Sequence, residues 1–170
     1  MIVTTRNCPL DVVFVVDASR RGVTPGDYAR VRTFVTQLVG TLGRRIDSGN
    51  MRVGLLAYAT TIGTRYNLNA YSSVASVISA ISTLSYTGGQ TNTAAALAYV
   101  RRSMLTSAAG DRSHAPNVIV IFTDGRSTNT TATQVCAVLS LSQKKPPHIT
   151  NGCKLGHYRY LINSGVELCG

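Results

Sequence analysis

The stretch Asp11-Val12-Val13-Phe14-Val15-Val16-Asp17-Ala18-Ser19 decides the fold. Five consecutive β-branched or aromatic residues do not alternate polar with apolar, so they predict a strand over Asp11 to Ala18 that is buried on both faces. Burial on both faces requires helices above and below, which makes this a central parallel strand. Asn117 to Thr123 repeats the pattern and ends in Thr123-Asp124-Gly125.

The segments between these runs read as alternating helices and strands. Thr24 is an N-cap with Pro25 at the first helical position, and Tyr28, Val31, Val35, Leu38, Val39 and Leu42 follow at helical spacing before Gly43. Val53 to Ala59 reads as a second strand. Gly63 to Leu68, after a Thr60-Thr61 turn, is its antiparallel neighbour. Ser72 and Ser73 cap a helix carrying Val74, Val77, Ile78, Ile81 and Leu84. A loop from Gly88 to Thr93 leads into another helix with Ala94, Leu97, Ala98, Met104 and Leu105 on one face. The order predicts an α/β fold: a mostly parallel sheet, one antiparallel edge strand, and helices on both faces. Thr131 to Ser142 reads as a last helix, Lys144-Lys145-Pro146-Pro147 ends it, and Tyr158 to Ile162 is the one later strand-like run.

The 170 residues fit one domain, and 44% hydrophobic with 14% charged residues excludes a disordered chain. The buried-strand runs Val12 to Val16 and Val118 to Phe122 have five residues each, against roughly 20 for a membrane-spanning helix. The net charge is +10, and 14 of the 17 basic residues are Arg, a side chain suited to carboxylate, sulfate and phosphate. With no Trp and three Phe there is little to stack on bases, which argues against nucleic acid. The N-terminus carries no signal-peptide pattern, so the chain is either cytosolic or begins inside a longer precursor. Four cysteines, Cys8, Cys136, Cys153 and Cys169, allow three pairings, and Asn129-Thr130-Thr131 is a glycosylation sequon.

In an open parallel sheet, ligands bind beyond the carboxyl ends of the strands. Asp17 and Asp124 end the two buried runs there, and Thr91 lies on the Gly-rich loop between them. A single Asp at a strand end more often caps a turn. Two at equivalent ends, joined by Ser19 and Thr91, form a set of hard oxygen donors suited to Mg²⁺. Arg20, Arg21 and Arg126 share these loops, either as solvated surface or as an anion-binding face. No nucleophile elbow, phosphate loop or dinucleotide fingerprint is present, and His114, His148 and His157 lie outside the strand-end loops, so no enzyme is predicted. His148, Cys153, His157 and Cys169 match no standard zinc spacing.

Asp17-Ala18-Ser19, Thr91-Asn92-Thr93 and Thr123-Asp124-Gly125 together resemble the metal-ion-dependent adhesion site of von Willebrand factor A domains, in family order, over about residues 10–135. The Cys8-Pro9-Leu10-Asp11 entry is similar to those of matrilins, collagens VI and XII, and invertebrate byssus and shell matrix proteins. The resemblance implies a Rossmann-like A domain over 11–143, an extension over 1–10 and a divergent tail over 144–170. It implies metal ligation by Asp17, Ser19, Thr91 and Asp124, with Mg²⁺ as the ion and Mn²⁺ or Ca²⁺ as alternatives. Arg21 stands where the family has a second Ser ligand, so the implied site is degenerate. Also implied are secretion to the extracellular matrix, a collagen-like protein partner, and a disulfide from Cys8 to Cys169. The alternative function is a metal-independent, Arg-driven binder of acidic polysaccharide or mineral. The family's two closing strands are not recognisable in 144–170, which predicts an open edge on the 117–123 strand and a domain prone to aggregate.

Overall fold

The computed structural model describes residues 8–20, 23–123, 127–128 and the backbone of 161–162. Strand β1 (Leu10–Asp17) leads to helix α1 (Pro25–Thr41), a short helix α2 (Gly43–Asp47) and strand β2 (Met51–Tyr58). Strand β3 (Ile62–Tyr66), helix α3 (Val74–Ser82) and helix α4 (Thr93–Tyr99) follow. A π-helical turn (Val100–Met104), a 3-10 turn (Ser107–Ala109), strand β4 (Asn117–Phe122) and strand β5 (Leu161–Ile162) complete the described elements. The sheet order is β3-β2-β1-β4-β5. β1 is central and parallel to β2 and β4, whereas β3 is antiparallel to β2.

The unbroken apolar run of β1 is explained by two core layers. Val12, Phe14 and Val16 face one side, where Tyr28, Val35 and Val39 of α1 and Val77, Ala80 and Ile81 of α3 cover them. Val13 and Val15 face the other side, against Ala96, Leu97, Val100 and Met104. Each such side chain, fully buried, is worth about 1.5–3 kcal/mol of transfer free energy. α1 begins where the sequence places it. Thr24 Oγ1 accepts from Asp27 N–H (3.1 Å), and the Asp27 carboxylate accepts from Thr24 N–H (3.3 Å), a reciprocal capping box.

Three boundaries differ from the sequence reading. Gly43 does not end the helical segment, because Leu42 keeps helical dihedrals (φ −90°, ψ 0°) and a second helix restarts at once. The helix expected to run through Leu105 changes at Val100 into a wider turn, closed by Leu105 N–H donating to Val100 O at 2.9 Å. The edge of β4 expected to lie open is paired: Leu161 and Ile162 run parallel to Val120 and Ile121. One short closing strand is therefore present where none was recognised. Its sequence was visible as the Tyr158 to Ile162 run, but two residues of pairing are too few to be separated from background by pattern. The helix expected over Thr131 to Ser142 lies outside the described residues.

The sheet end opposite the strand-end loops is fixed by one ion pair. Asp11, 0% exposed, accepts from Arg112 Nε (2.9 Å) and from Arg112 N–H (2.8 Å), and Arg112 Nη2 lies 2.7 Å from its Oδ1. The same guanidinium donates to the carbonyls of Gly49 (2.8 Å), Leu10 (3.0 Å) and Asn50 (3.2 Å). Cys8 lies at this end, immediately before β1, and is disulfide-bonded. Its expected partner, Cys169, lies outside the described residues.

Candidate functional site

The parallel register delivers the site. Asp17 is the last residue of β1 and pairs with Tyr58, the last residue of β2, while Val16 pairs with Phe122, the last of β4. The three strands thus end level, and the loops that follow them meet beyond one rim. Asp17 turns the chain back on itself: its Oδ1 accepts from Ser19 N–H at 2.9 Å. Its Oδ2 accepts from the hydroxyl of Thr123, the first residue after β4, at 2.8 Å. The carboxylate is held at both oxygens and is 2% exposed.

Thr91 reaches the same point from the loop before α4. The hydroxyls of Ser19 and Thr91 lie 2.7 Å apart, and both residues are 0% exposed although they share 72 positions of sequence separation. Two glycines place the Thr91 loop. Gly88 (φ 70°) and Gly89 (φ 89°) occupy the left-handed region, and a Cβ on Gly89 would come within 2.5 Å of Thr60 Oγ1. In that conformation Gly88 N–H donates to Ala18 O (2.8 Å) and Arg20 N–H donates to Gly89 O (3.1 Å), lacing the loop to the end of β1. Below it, Asn92 N–H donates to Ala59 O (3.0 Å), Asn92 caps α4, and the Thr93 hydroxyl lies 3.0 Å from that of Tyr58. From the third loop, Thr128 N–H and its hydroxyl both donate to Thr91 O at 2.9 Å.

Of the sequence-predicted residues, Asp17, Ser19 and Thr91 are brought together. Arg20 is exposed at the rim, its side chain over Gly88, where an added Cβ would lie 3.7 Å from Arg20 Nε. Asp124, Arg21, Arg126 and Asn129 lie outside the described residues. Thr123, Thr93 and Thr128 are structural partners of the site to which sequence reasoning gave no role. Thr123 was nonetheless visible beside Asp124, at the end of the second buried run. The donor set of one carboxylate and two hydroxyls consists of hard oxygen ligands, the class that Mg²⁺ and Ca²⁺ take. Among the described residues no group of three His, Cys, Asp or Glu is placed to hold a metal ion.

Residues 11–148 match the von Willebrand factor type A domain. Matrilin-1 of Mus musculus is 35% identical over 124 residues, 71% of this chain and 24% of that protein. The collagen alpha-1(XX) chain of Homo sapiens is 34% identical over 119 residues, 70% of this chain and 9% of that protein. The chain therefore spans about a quarter or less of the length of these relatives. In fold it is similar to proximal thread matrix protein 1 from the mussel byssus, with a TM-score of 0.71 at 21% identity, covering 78% of this chain and 35% of that one. Another structure of the byssus protein, with the same TM-score at 20% identity, has zinc in its MIDAS motif. Strand ends, loop geometry and sequence agree: the chain belongs to the von Willebrand factor type A family, in its extracellular-matrix branch of matrilins and collagens.

Proposed function

We propose that this domain is a non-enzymatic adhesion module of the extracellular matrix, secreted as part of a longer protein, that binds a collagen-like matrix protein through a divalent cation at the strand-end site. The observation that carries this reading is the meeting of Ser19 Oγ and Thr91 Oγ1 at 2.7 Å beside the immobilised Asp17 carboxylate. Neighbouring oxygens on an octahedral Mg²⁺ with 2.0–2.1 Å bonds lie about 2.9 Å apart, so the two hydroxyls need almost no adjustment to share an ion. Asp17, Ser19, Thr91 and Asp124 would hold the cation, and Mg²⁺ is the ion proposed. When bound, it supplies an electrophilic centre open to a carboxylate from the partner. With two of the four proposed ligands neutral hydroxyls, that centre keeps part of its charge for the incoming ligand.

Arg21 makes the site degenerate, since it replaces a hydroxyl donor with a cation that cannot ligate. Arg21→Ser is expected to raise Mg²⁺ affinity. The exposed Arg20 at the rim favours an acidic ligand. The test is surface plasmon resonance of the domain over immobilised fibrillar collagen in Mg²⁺ and in EDTA. Binding is expected to disappear in EDTA and in Thr91→Ala. Binding of unchanged strength in EDTA would refute the reading.

A further inference from the structure

A second feature, away from the strand-end site, lies on the outer edge of the sheet. β2 and β3 pair Tyr58 with Ile62 and Leu56 with Arg65, so two steps along β2 match three along β3. The extra residue is a β-bulge at 63–64. Without it, alternation would send Arg65 to the face opposite Ile62. With it, both residues turn toward the layer that contains α4. Gly63 permits the close approach, since a Cβ there would sit 3.1 Å from Ala57 O.

The redirected Arg65 guanidinium lies over the ring of Tyr99, 5.4 Å from its centroid, within the range of a cation–π contact. Arg65 is exposed and forms no ion pair among the described residues. Together with Thr64, Asn67, Asn69 and Ala70, this pair lines an open groove of about 610 Å³. That is the size of a small-molecule site, roughly 300–1,000 Å³. Asn69 is held by donating its Nδ2 to Ala108 O (3.2 Å).

We propose that this groove binds one acidic sugar unit of a sulfated or uronate-bearing polysaccharide. The Arg65 fork, seated on the Tyr99 ring, matches a sulfate or carboxylate, and the amides of Asn67 and Asn69 with the Thr64 hydroxyl suit vicinal hydroxyls. An acidic peptide fits less well, because the lining offers no aliphatic pocket for an anchoring side chain: only the Ala70 methyl joins Tyr66 and Tyr99. The net charge of +10 draws a polyanion to the domain, and the groove gives it a defined seat.

The site needs no metal, so its test is run in EDTA and is independent of the strand-end reading. Size-defined heparin and chondroitin sulfate fragments are titrated calorimetrically against the wild type, Arg65→Gln, Asn67→Ala and Arg44→Gln, the last an exposed arginine with no ion pair among the described residues. Arg65→Gln is expected to weaken binding about tenfold, Asn67→Ala about threefold, and Arg44→Gln less than about twofold. Equal losses in Arg65→Gln and Arg44→Gln would show a diffuse charge effect and overturn the proposal. So would a wild type that binds no fragment, or a poly-glutamate peptide that binds as tightly and loses as much in Arg65→Gln.

Discussion

Arg112→Met removes the guanidinium from the base of the sheet while keeping the bulk of its stem. Asp11 then remains 0% exposed and retains only the 2.8 Å bond from residue 112 N–H, having lost contacts of 2.9 and 2.7 Å. The partly buried carbonyl of Leu10 loses the Arg112 donor, that of Asn50 keeps the Leu10 N–H at 2.8 Å, and that of Gly49 is exposed and turns to water. Removing one member of a buried pair costs about 3–5 kcal/mol, because the other charge is stranded. In a domain of this size that lowers the melting temperature by on the order of 10 °C. Urea unfolding followed by circular dichroism at 25 °C measures it. The double variant Asp11→Leu/Arg112→Met strands no charge and is expected to be at least about 2 kcal/mol more stable than the single variant, even though the Leu10 carbonyl does not regain the Arg112 donor. A single variant that loses less than about 1 kcal/mol, or a double variant no more stable than the single, refutes the reasoning.

At the strand-end site, Thr91→Ala is expected to lower Mg²⁺ affinity at least about tenfold in calorimetry with a loss of stability below about 2 kcal/mol, since one hydroxyl ligand and one hydrogen bond go together. Gly89→Ala forces a left-handed residue into Thr60 and is expected to cost about 1–3 kcal/mol and to weaken cation binding by displacing Thr91, read by denaturant unfolding and calorimetry on the same sample. Burial pushes the Tyr28 phenol up to about 12, partly offset by the positive charge of Arg32. Because the folded state holds this proton more tightly than the unfolded chain, the stabilisation is complete below pH 10 and is lost as pH rises toward 12. An ultraviolet titration with all tyrosines ionising near 10 in the folded protein would contradict it.

What the sequence disclosed follows from how local each cause is. The capping box at Thr24 and Asp27 spans three residues, and the two-sided burial of β1 is written in five consecutive apolar residues, so both were legible. The site was legible in part for a different reason: strand ends in a parallel sheet converge by topology, and recognising β1 and β4 was enough to bring Asp17 near the loop after β4. Features set by distant partners were not legible. Asp11 and Arg112 are 101 positions apart, and nothing around Arg112 distinguishes it from 13 other arginines. The bulge in β3 changes which face Arg65 occupies through a single inserted residue that has no compositional mark beyond Gly63. The restart of helix at Gly43 depends on Leu42 keeping helical dihedrals between Val39 and Ile46, both buried against the same core.

β1 carries a buried carboxylate at each end, and their different surroundings separate stability from binding along one strand. Asp11 meets a guanidinium that also ties down three backbone carbonyls, an arrangement that fixes the chain and leaves no room for a ligand. Asp17 is oriented by a backbone amide and a hydroxyl from two different loops. These donors hold the carboxylate in position, and the two hydroxyls of Ser19 and Thr91 stand beside it at ligand spacing. The five residues between the two aspartates are packed on both faces by helices, so the strand transmits little from one end to the other. Loop changes at the strand-end rim therefore alter what the domain binds at modest cost in folding, whereas a change at the Asp11 end acts on stability first and reaches binding only through the folded fraction.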